Sequence, residues 1–446
     1  MTLSFAPDGT DVGGSGSVLF SQLGSGAAGP DWQLDILRAF QTWAAQGNIN
    51  LTLRSDNGSP FGEAGPVQGS PLYGDIRVGA RPLASSELAV GTPFDQLGTW
   101  SGEVLINSGY TFGRAGVGGP DLYTVALHEA GHVFGLPDNS DPASVMFTRY
   151  QGPRTGLAGG DVADIQGLYG ARSPDRFEQP NGNDTSKTAS PIRFVPVGTD
   201  LQNTDLTAGG VPYVAAGDIT TTADKDFYRF TVPQGTSDFL VQLRTSGVSL
   251  LQSRVNVYDG TGRLVQSVEA TNPRFGDLTL YVSGVKSGAT YRVEVESATT
   301  SPFGVGSYRL AVGTAAHEAL FSSALSNFVN PDFHTDDTFD SADNLGVTKS
   351  DGAPGWDLTR QASIEDAQDL DFYRLKTGTV TGGALVVAVW ASDPGQLAPL
   401  IRVYDVTGQL LPAEVLAQDG TYYSVQVRDV KANAIYVTEV AADGDV

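Results

Sequence analysis

Residues 128–138 read HEAGHVFGLPD, and this stretch decides how the first part of the chain folds. On an α-helix, His128 and His132 lie four positions apart, one above the other on a single face, where two imidazoles can grip one ion. Glu129 stands beside them, off that axis, where a carboxylate can act as the general base that takes a proton from water. Gly135 can adopt the left-handed backbone that ends a helix and Pro137 cannot continue one, so the chain turns just after Phe134. That turn can bring Asp138 back to the imidazoles as a third ligand, the number a catalytic zinc usually takes from protein. The chain has four histidines and no cysteine, and the other two, His317 and His334, lie past an expected domain boundary. A nearby carboxylate is therefore the economical third donor.

One loop later, Asp141-Pro-Ala-Ser-Val-Met146 supplies a methionine. The pattern HExxHxxGxxD followed by Ser144-Val145-Met146 resembles the metzincin clan of zinc endopeptidases with its Met-turn, and within the clan the matrixin-like enzymes. The resemblance implies an α+β catalytic domain with a mixed sheet, an active-site helix and a Met-turn built on Met146. It also implies one catalytic zinc held by His128, His132 and Asp138, Glu129 as base, and a protein or peptide as substrate. The usual third ligand in the family is histidine; the aspartate at 138 is a departure seen in snapalysin-like members. Thr148 is a second departure, because astacin-like and serralysin-like enzymes carry tyrosine there, and Tyr150 does not match that spacing.

In the family, the strand shortly before the zinc helix is the sheet edge that holds substrate in extended form. Residues 103–107, with Val104, Leu105 and Ile106, are the candidate, and an ordinary interior strand is the equal alternative. The segment from Phe147 to Pro153, with Phe147 and Tyr150, could wall the pocket for the substrate side chain after the cut.

Composition bounds the rest. At 446 residues the chain should contain two to four domains, and 55 glycines with 24 prolines point to many turns and short strands. Fifty acidic against 27 basic residues give a formal net charge of −23, which repels phosphate backbones and makes nucleic acid a poor partner. Acidic loops could hold calcium. No run of about 20 apolar residues offers a membrane span. The absence of cysteine excludes disulfides, so a secreted protein of this sequence relies on packing and on bound ions. The opening MTLSFAPDG has no basic start and no apolar run, so no signal peptide is expected within these residues.

Taken in order, residues 2–6 read as a strand, followed by a Gly- and Ser-rich loop to about 29. Asp31 precedes Trp32, Leu34, Ile36, Leu37, Phe40 and Trp43, an amphipathic helix that Gly47 ends. Residues 51–54, 75–79 and 100–107 read as strands, 121–134 as the helix of the histidines, and 161–169 as a closing helix. The segment DIQGLYG resembles the end of a matrixin-like domain, which places the first domain at 1–170. Residues 171–190 are polar and rich in Pro, Gly and Asn, as a linker should be.

A repeat follows. DFYRF at 226–230 returns as DFYRL at 371–375, and VYDGTGRLV at 257–265 as VYDVTGQLL at 403–411. Val285-Lys286 and Tyr291 return as Val430-Lys431 and Tyr436, at the same offset of 145 residues as the DFYR pair. Short alternating runs broken by Gly, Asp and Asn argue for two all-β sandwich domains, 191–315 and 316–446, with Val255, Val257 and Leu264 in the core of the first. By the repeat offset the second lacks a partner for the strand Ser307–Val312 and should have an unpaired edge. These repeats are similar to bacterial pre-peptidase C-terminal domains through Asp-Phe-Tyr and through Asn-Asp-Thr at 183–185. His317-Glu318 is followed by Phe321, so it makes no helical pair of ligands. His334, among Asp332, Asp336 and Asp337, reads as a solvated acidic loop or a calcium site.

These readings describe an extracellular zinc endopeptidase with accessory domains that bind substrate or cell-surface material. The competing class is a catalytically inert protein that attaches to polymers or surfaces through its paired sandwiches.

Overall fold

The computed structural model describes residues 1–24, 31–54, 56–62, 70, 72–94, 101–178, 182–192, 214–313, 338–339, 341–345, 348–349, 356–357, 364, 370–377, 383–390, 399–418 and 422–442. The expected sites at His317 and at His334 with Asp332, Asp336 and Asp337 lie outside these residues. The chain forms two compact units, Met1–Phe328 and Val329–Val446.

The first unit begins with a mixed five-stranded sheet. Its strands are β1 (Thr2–Phe5), β2 (Thr52–Leu53), β3 (Ile76–Arg81), β4 (Ala89–Gly91) and β5 (Glu103–Asn107), in the order β2-β1-β3-β5-β4. All neighbours are parallel except β4, which runs antiparallel to β5. The helices are α1 (Leu19–Gly24), α2 (Trp32–Ala44), α3 (Leu122–Val133) and α4 (Gly159–Tyr169). The short α1 falls inside the stretch read from sequence as loop, because only Leu19 and Leu23 give it an apolar face.

The aromatics of α2 are core, as their periodicity predicts: Trp32, Phe40 and Trp43 are buried. Trp43 also donates its indole N–H to the Leu127 carbonyl at 2.8 Å, which fixes α2 against α3. β5 is buried along its whole length and bonded on both sides, Val104 opposite Val78 and Gly91, Ile106 opposite Ala80 and Ala89. The edge reading of residues 103–107 is therefore corrected. The edge is β4, whose short AVG run carries too little pattern to be seen in sequence. Asn107 positions it: its amide donates to the carbonyls of Ala84 and Glu87, while its Oδ1 accepts from Leu83 and Gly109.

The same unit continues as a β-sandwich. One sheet has β6 (Ser190–Pro191), β8 (Lys225–Thr231), β10 (Ser253–Tyr258), β11 (Leu264–Glu269) and β13 (Thr290–Ser297), in the order β11-β10-β13-β8-β6. The other has β7 (Val214–Ile219), β9 (Asp238–Arg244), β12 (Leu278–Ser283) and β14 (Gly306–Gly313), in the order β12-β9-β14-β7. Tyr228, Phe239, Val255, Val257, Val293 and Tyr308 fill the space between them. Leu264, expected in that core, is instead 51% exposed, because β11 is the outermost strand of its sheet and is exposed on both faces along most of its length.

The sandwich is bonded to the mixed sheet and its helices. Gln41 of α2 donates to the Val305 carbonyl at 2.9 Å, Arg274 donates to Gln33, and Arg172 joins Ile49 and Asn50 to Asp218. Residues expected to act as a free linker thus begin with a clamp.

The second unit repeats the plan. β15 (Asp343–Asn344), β18 (Leu370–Lys376), β20 (Pro399–Asp405) and β23 (Ile435–Ala442) form a sheet in the order β15-β18-β23-β20. β16 (Thr348–Lys349) pairs with β17 (Trp356–Asp357). β19 (Gly383–Trp390), β22 (Tyr422–Val430) and β21 (Glu414–Gln418) form a third sheet in the order β19-β22-β21. Among the described residues no strand pairs with the other side of β19; in the first unit, the corresponding place beside β9 is held by β14. The repeated sequence reappears as repeated bonds. The Lys286 N–H donates to the Tyr291 hydroxyl and the Lys431 N–H to the Tyr436 hydroxyl; Tyr258 donates to Glu294 and Tyr404 to Glu439.

Candidate metal centre

α3 starts where Asp121 caps it, accepting the Thr124 N–H and hydroxyl through Oδ1 and the Ala115 N–H through Oδ2. It ends in a Schellman turn: the Leu136 N–H reaches the Gly131 carbonyl, the Gly135 N–H reaches that of His132, and Gly135 sits at φ +96°. The turn gives the chain its reversal toward Asp138, and it also presents the Leu136 carbonyl to His132.

Each imidazole is held from behind by a backbone carbonyl. Nδ1 of His132 is 2.9 Å from the Leu136 oxygen, and Nδ1 of His128 is 2.9 Å from the Val145 oxygen. A carbonyl can only accept, so both rings carry their proton on Nδ1 and turn an Nε2 lone pair outward. The two Nε2 atoms are 3.1 Å apart, and Oδ1 of Asp138 lies 3.6 Å from one and 3.7 Å from the other. A tetrahedral zinc with bonds of about 2.0–2.1 Å separates its ligand atoms by about 3.3 Å, so the three donors fit. Burial pushes the His128 imidazole below its ordinary pKa, with the second imidazole adding to the effect, which keeps its lone pair free for an ion. Asp138 is about half exposed, which leaves the cluster open on its solvent side.

Glu129 is shielded from bulk solvent. It is 6% exposed, and burial pushes its carboxyl up to about 7, opposed by a hydrogen bond from the Gly91 N–H and reinforced by Asp138 and Glu87. Gly91 belongs to β4. A Cβ there would stand 2.6 Å from the Glu129 carbonyl oxygen and 3.2 Å from Oε2, so only glycine lets the sheet edge come this close.

Met146 lies beneath the histidines. A Cβ on Gly131, between the two ligands, would come 2.2 Å from the Met146 sulfur. The loop carrying Met146 and the Val145 carbonyl is pinned by Asp161 of α4, which accepts the Ser144 hydroxyl at 2.5 Å, the Val145 N–H at 3.1 Å and the Ala158 N–H at 2.8 Å. Sequence reasoning used Asp161 only as the start of a helix and passed over Gly91. Neither belongs to the motif, and no local signal ties either one to it.

Of the expected substrate contacts, Phe147 directly follows the Met146 turn and is partly exposed. The Tyr150 hydroxyl accepts the Asp121 N–H at 2.9 Å, at the far end of α3 from the cluster. Val104, Leu105 and Ile106 are buried within the sheet and do not face a substrate.

Comparison with known proteins gives the same region. Residues 29–170 match the matrixin family. Human matrix metalloproteinase-25 is 36% identical over 94 residues, 20% of this chain and 15% of that protein. Cat matrilysin is 47% identical over 62 residues, 13% of this chain and 23% of that protein. The probable matrix metalloproteinase 095L of invertebrate iridescent virus 3 is 28% identical over 141 residues, 32% of this chain and 35% of that protein. This chain therefore spans about a third or less of these relatives. The chain carries a matrixin-like domain with a His-His-Asp cluster of the snapalysin type, suited to a zinc-like ion. Among the described residues no helix is long and apolar enough to cross a membrane.

Proposed function

We propose that this protein is an extracellular zinc metalloendopeptidase that cuts peptide bonds in proteins. What carries the reading is the convergence of Nε2 of His128, Nε2 of His132 and Oδ1 of Asp138 within 3.1–3.7 Å of one another, beside the buried carboxylate of Glu129. A zinc ion held by those three groups supplies a Lewis acid that polarises a peptide carbonyl and makes water acidic. Glu129 takes the proton from the attacking water and delivers it to the leaving amine, so it needs a pKa close to the working pH. Its burial and the Gly91 N–H set that balance, and a positive ion nearby lowers the carboxyl from about 7.

The substrate lies along β4. Among the described residues this strand is bonded to β5 alone, and an extended peptide can add to its other side by backbone hydrogen bonds while Gly91 holds the base beside the scissile bond. Phe147 and the loop after it border the pocket for the side chain after the cut. Residues 1–170 form the catalytic domain, 171–190 the connection, and 191–315 and 316–446 two accessory sandwiches that bind substrate or cell-surface material.

The test is hydrolysis of casein by the full chain before and after removal of zinc, with zinc content measured. Cleavage that is lost on removal and restored by one equivalent of zinc is the expected result. A chain that holds one zinc and cuts no unfolded protein would overturn the enzyme reading in favour of an inert binding protein.

A further inference from the structure

An amphipathic helix at a protein surface keeps its polar face in water. α2 does not: of its 13 residues only Leu34 and Arg38 escape burial, and Gln33 and Gln41 are 1% and 2% exposed. What covers those two amides is the first sandwich. Gln41 Nε2 donates to the carbonyls of Pro302 at 3.3 Å and Val305 at 2.9 Å, across one turn of 3₁₀ helix, Pro302–Gly304. Gln33 Oε1 accepts Arg274 Nη1 at 2.7 Å, and both side chains are buried. The sandwich also closes β2, the outer strand at the other end of the mixed sheet from β4. There Thr52 Oγ1 accepts the Gly247 N–H at 3.1 Å, and Asn50 exchanges bonds with Ser307 of β14 at 2.8 and 3.2 Å. Polar groups bonded across a dry contact fix both sides in one register, because slipping leaves a buried donor or acceptor unmade.

Another side of α2 supports the histidines. Trp43 donates its indole N–H to the carbonyl of Leu127, the residue before His128, at 2.8 Å. Its ring also lies against Gly131, where a Cβ would stand 3.0 Å from Trp43 Cζ2 and 2.2 Å from the Met146 sulfur. Gly131 falls between the two histidines, so Trp43 and Met146 together make the floor on which they rest. Phe40 packs edge-on against Phe134 at the end of α3, with ring centroids 5.9 Å apart. Gln41 and Trp43 are two positions apart and so lie on different sides of the helix, one toward the sandwich and one toward α3.

We propose that the first sandwich is a fixed part of the catalytic unit, and that Gln41 and Trp43 are positioning residues through which it sets His128 and His132. The proposal rests on the reading of these histidines as zinc ligands of a peptidase. It adds that their site is built from both halves of Met1–Phe328. The sandwich holds α2 by Gln33 near its start and Gln41 near its end, which fixes the tilt and rotation of the helix. Any turn of α2 about its axis carries the Trp43 ring with it, and so moves the Leu127 carbonyl and Gly131 beneath the ligands. A detachable accessory would leave the histidines unchanged on release; this one loosens them.

The experiment follows amide hydrogen exchange in the full chain with and without one equivalent of zinc, read peptide by peptide. Zinc should slow exchange in α3, in α2 and in residues 302–307 of the sandwich by at least about threefold, because coupling between sites acts in both directions. Gln41→Ala should abolish the slowing at 302–307 and keep that in α3. Protection that stops before residue 170 in the wild type would overturn the proposal. Exchange needs no catalysis, so a chain that binds zinc and cuts nothing refutes the peptidase while the coupling is still read. A chain that takes up no zinc refutes both. In a chain that cuts, kcat and KM for a short peptide are measured in Gln41→Ala, Trp43→Phe and the double variant. Each is first shown to be folded by circular dichroism and is assayed well below its melting temperature. Each single change should lower kcat about 3–10-fold with KM and zinc content unchanged, and the double variant should be no worse than the poorer single one, since both break one link. Effects on kcat that multiply, or single variants that turn over like wild type, would overturn it.

Discussion

The histidine cluster on α3 and the carboxylate cluster beside β8 are opposite environments. The first presents two neutral nitrogens and one half-exposed carboxylate, each ring fixed by a carbonyl behind it, with one side open to solvent. The second gathers carboxylates alone, Glu178 and Asp224 half-buried and Asp226 fully buried beside Asn183. An open nitrogen-rich site suits a zinc that must admit substrate, whereas crowded carboxylates without a counter-charge retain protons. The difference teaches that donor type and exposure, more than the count of ligands, separate a chemical role from a structural one.

The largest expected break in this contrast comes from the ligands themselves. His132→Ala should remove both zinc and hydrolysis, a loss of activity beyond about a thousandfold, while the sandwich stays folded. Measuring zinc content and circular dichroism on the same sample separates loss of the ion from loss of the fold.

A smaller effect is expected behind the histidines. Asp161 touches no ligand, yet it holds the loop whose Val145 carbonyl orients His128. Asp161→Ala should weaken zinc binding or turnover by about 10–100-fold, the usual range for a group that orients a metal ligand from behind. The exposed Asp164 three residues on serves as control: Asp164→Ala should change neither zinc affinity nor turnover.

The smallest effect is one of pH and belongs to the oxygen cluster. Asp226 is raised to about 8 and Glu178 to about 7 in the folded chain, so between about pH 4 and pH 8 the folded state holds more protons than the unfolded one. Stability should therefore be greatest at the acid end of that window and fall as pH rises through it, which a series of melting curves at fixed zinc would reveal.

The two clusters were unequally legible in the sequence. The histidine site lies within eleven consecutive residues, and helix periodicity alone brings His128 and His132 together. The turn at Gly135 and Pro137 could be read from backbone chemistry, and so could the strands, the amphipathic α2 and the repeat of DFYR. β4 escaped because three residues carry no period, and the interior position of β5 follows from that omission. Asp161 and Gly91 act through tertiary contact, which no spacing encodes. The carboxylate cluster joins segments more than 40 positions apart, so Asn183-Asp184-Thr185 and Asp226-Phe-Tyr were read as marks of a domain type and their meeting in space was not seen. Leu264 shows the opposite error: alternation marks which face a side chain takes, but not whether another layer covers that face.

The most direct test of the central claim is the rate of casein cleavage by Glu129→Gln, with zinc content measured beside wild type. This substitution keeps the shape of the side chain against Gly91 and removes only its ability to take a proton. If Glu129 is the base, the variant binds one zinc like wild type and loses activity by about 10²–10⁴-fold. Equal zinc with undiminished cleavage would contradict the account.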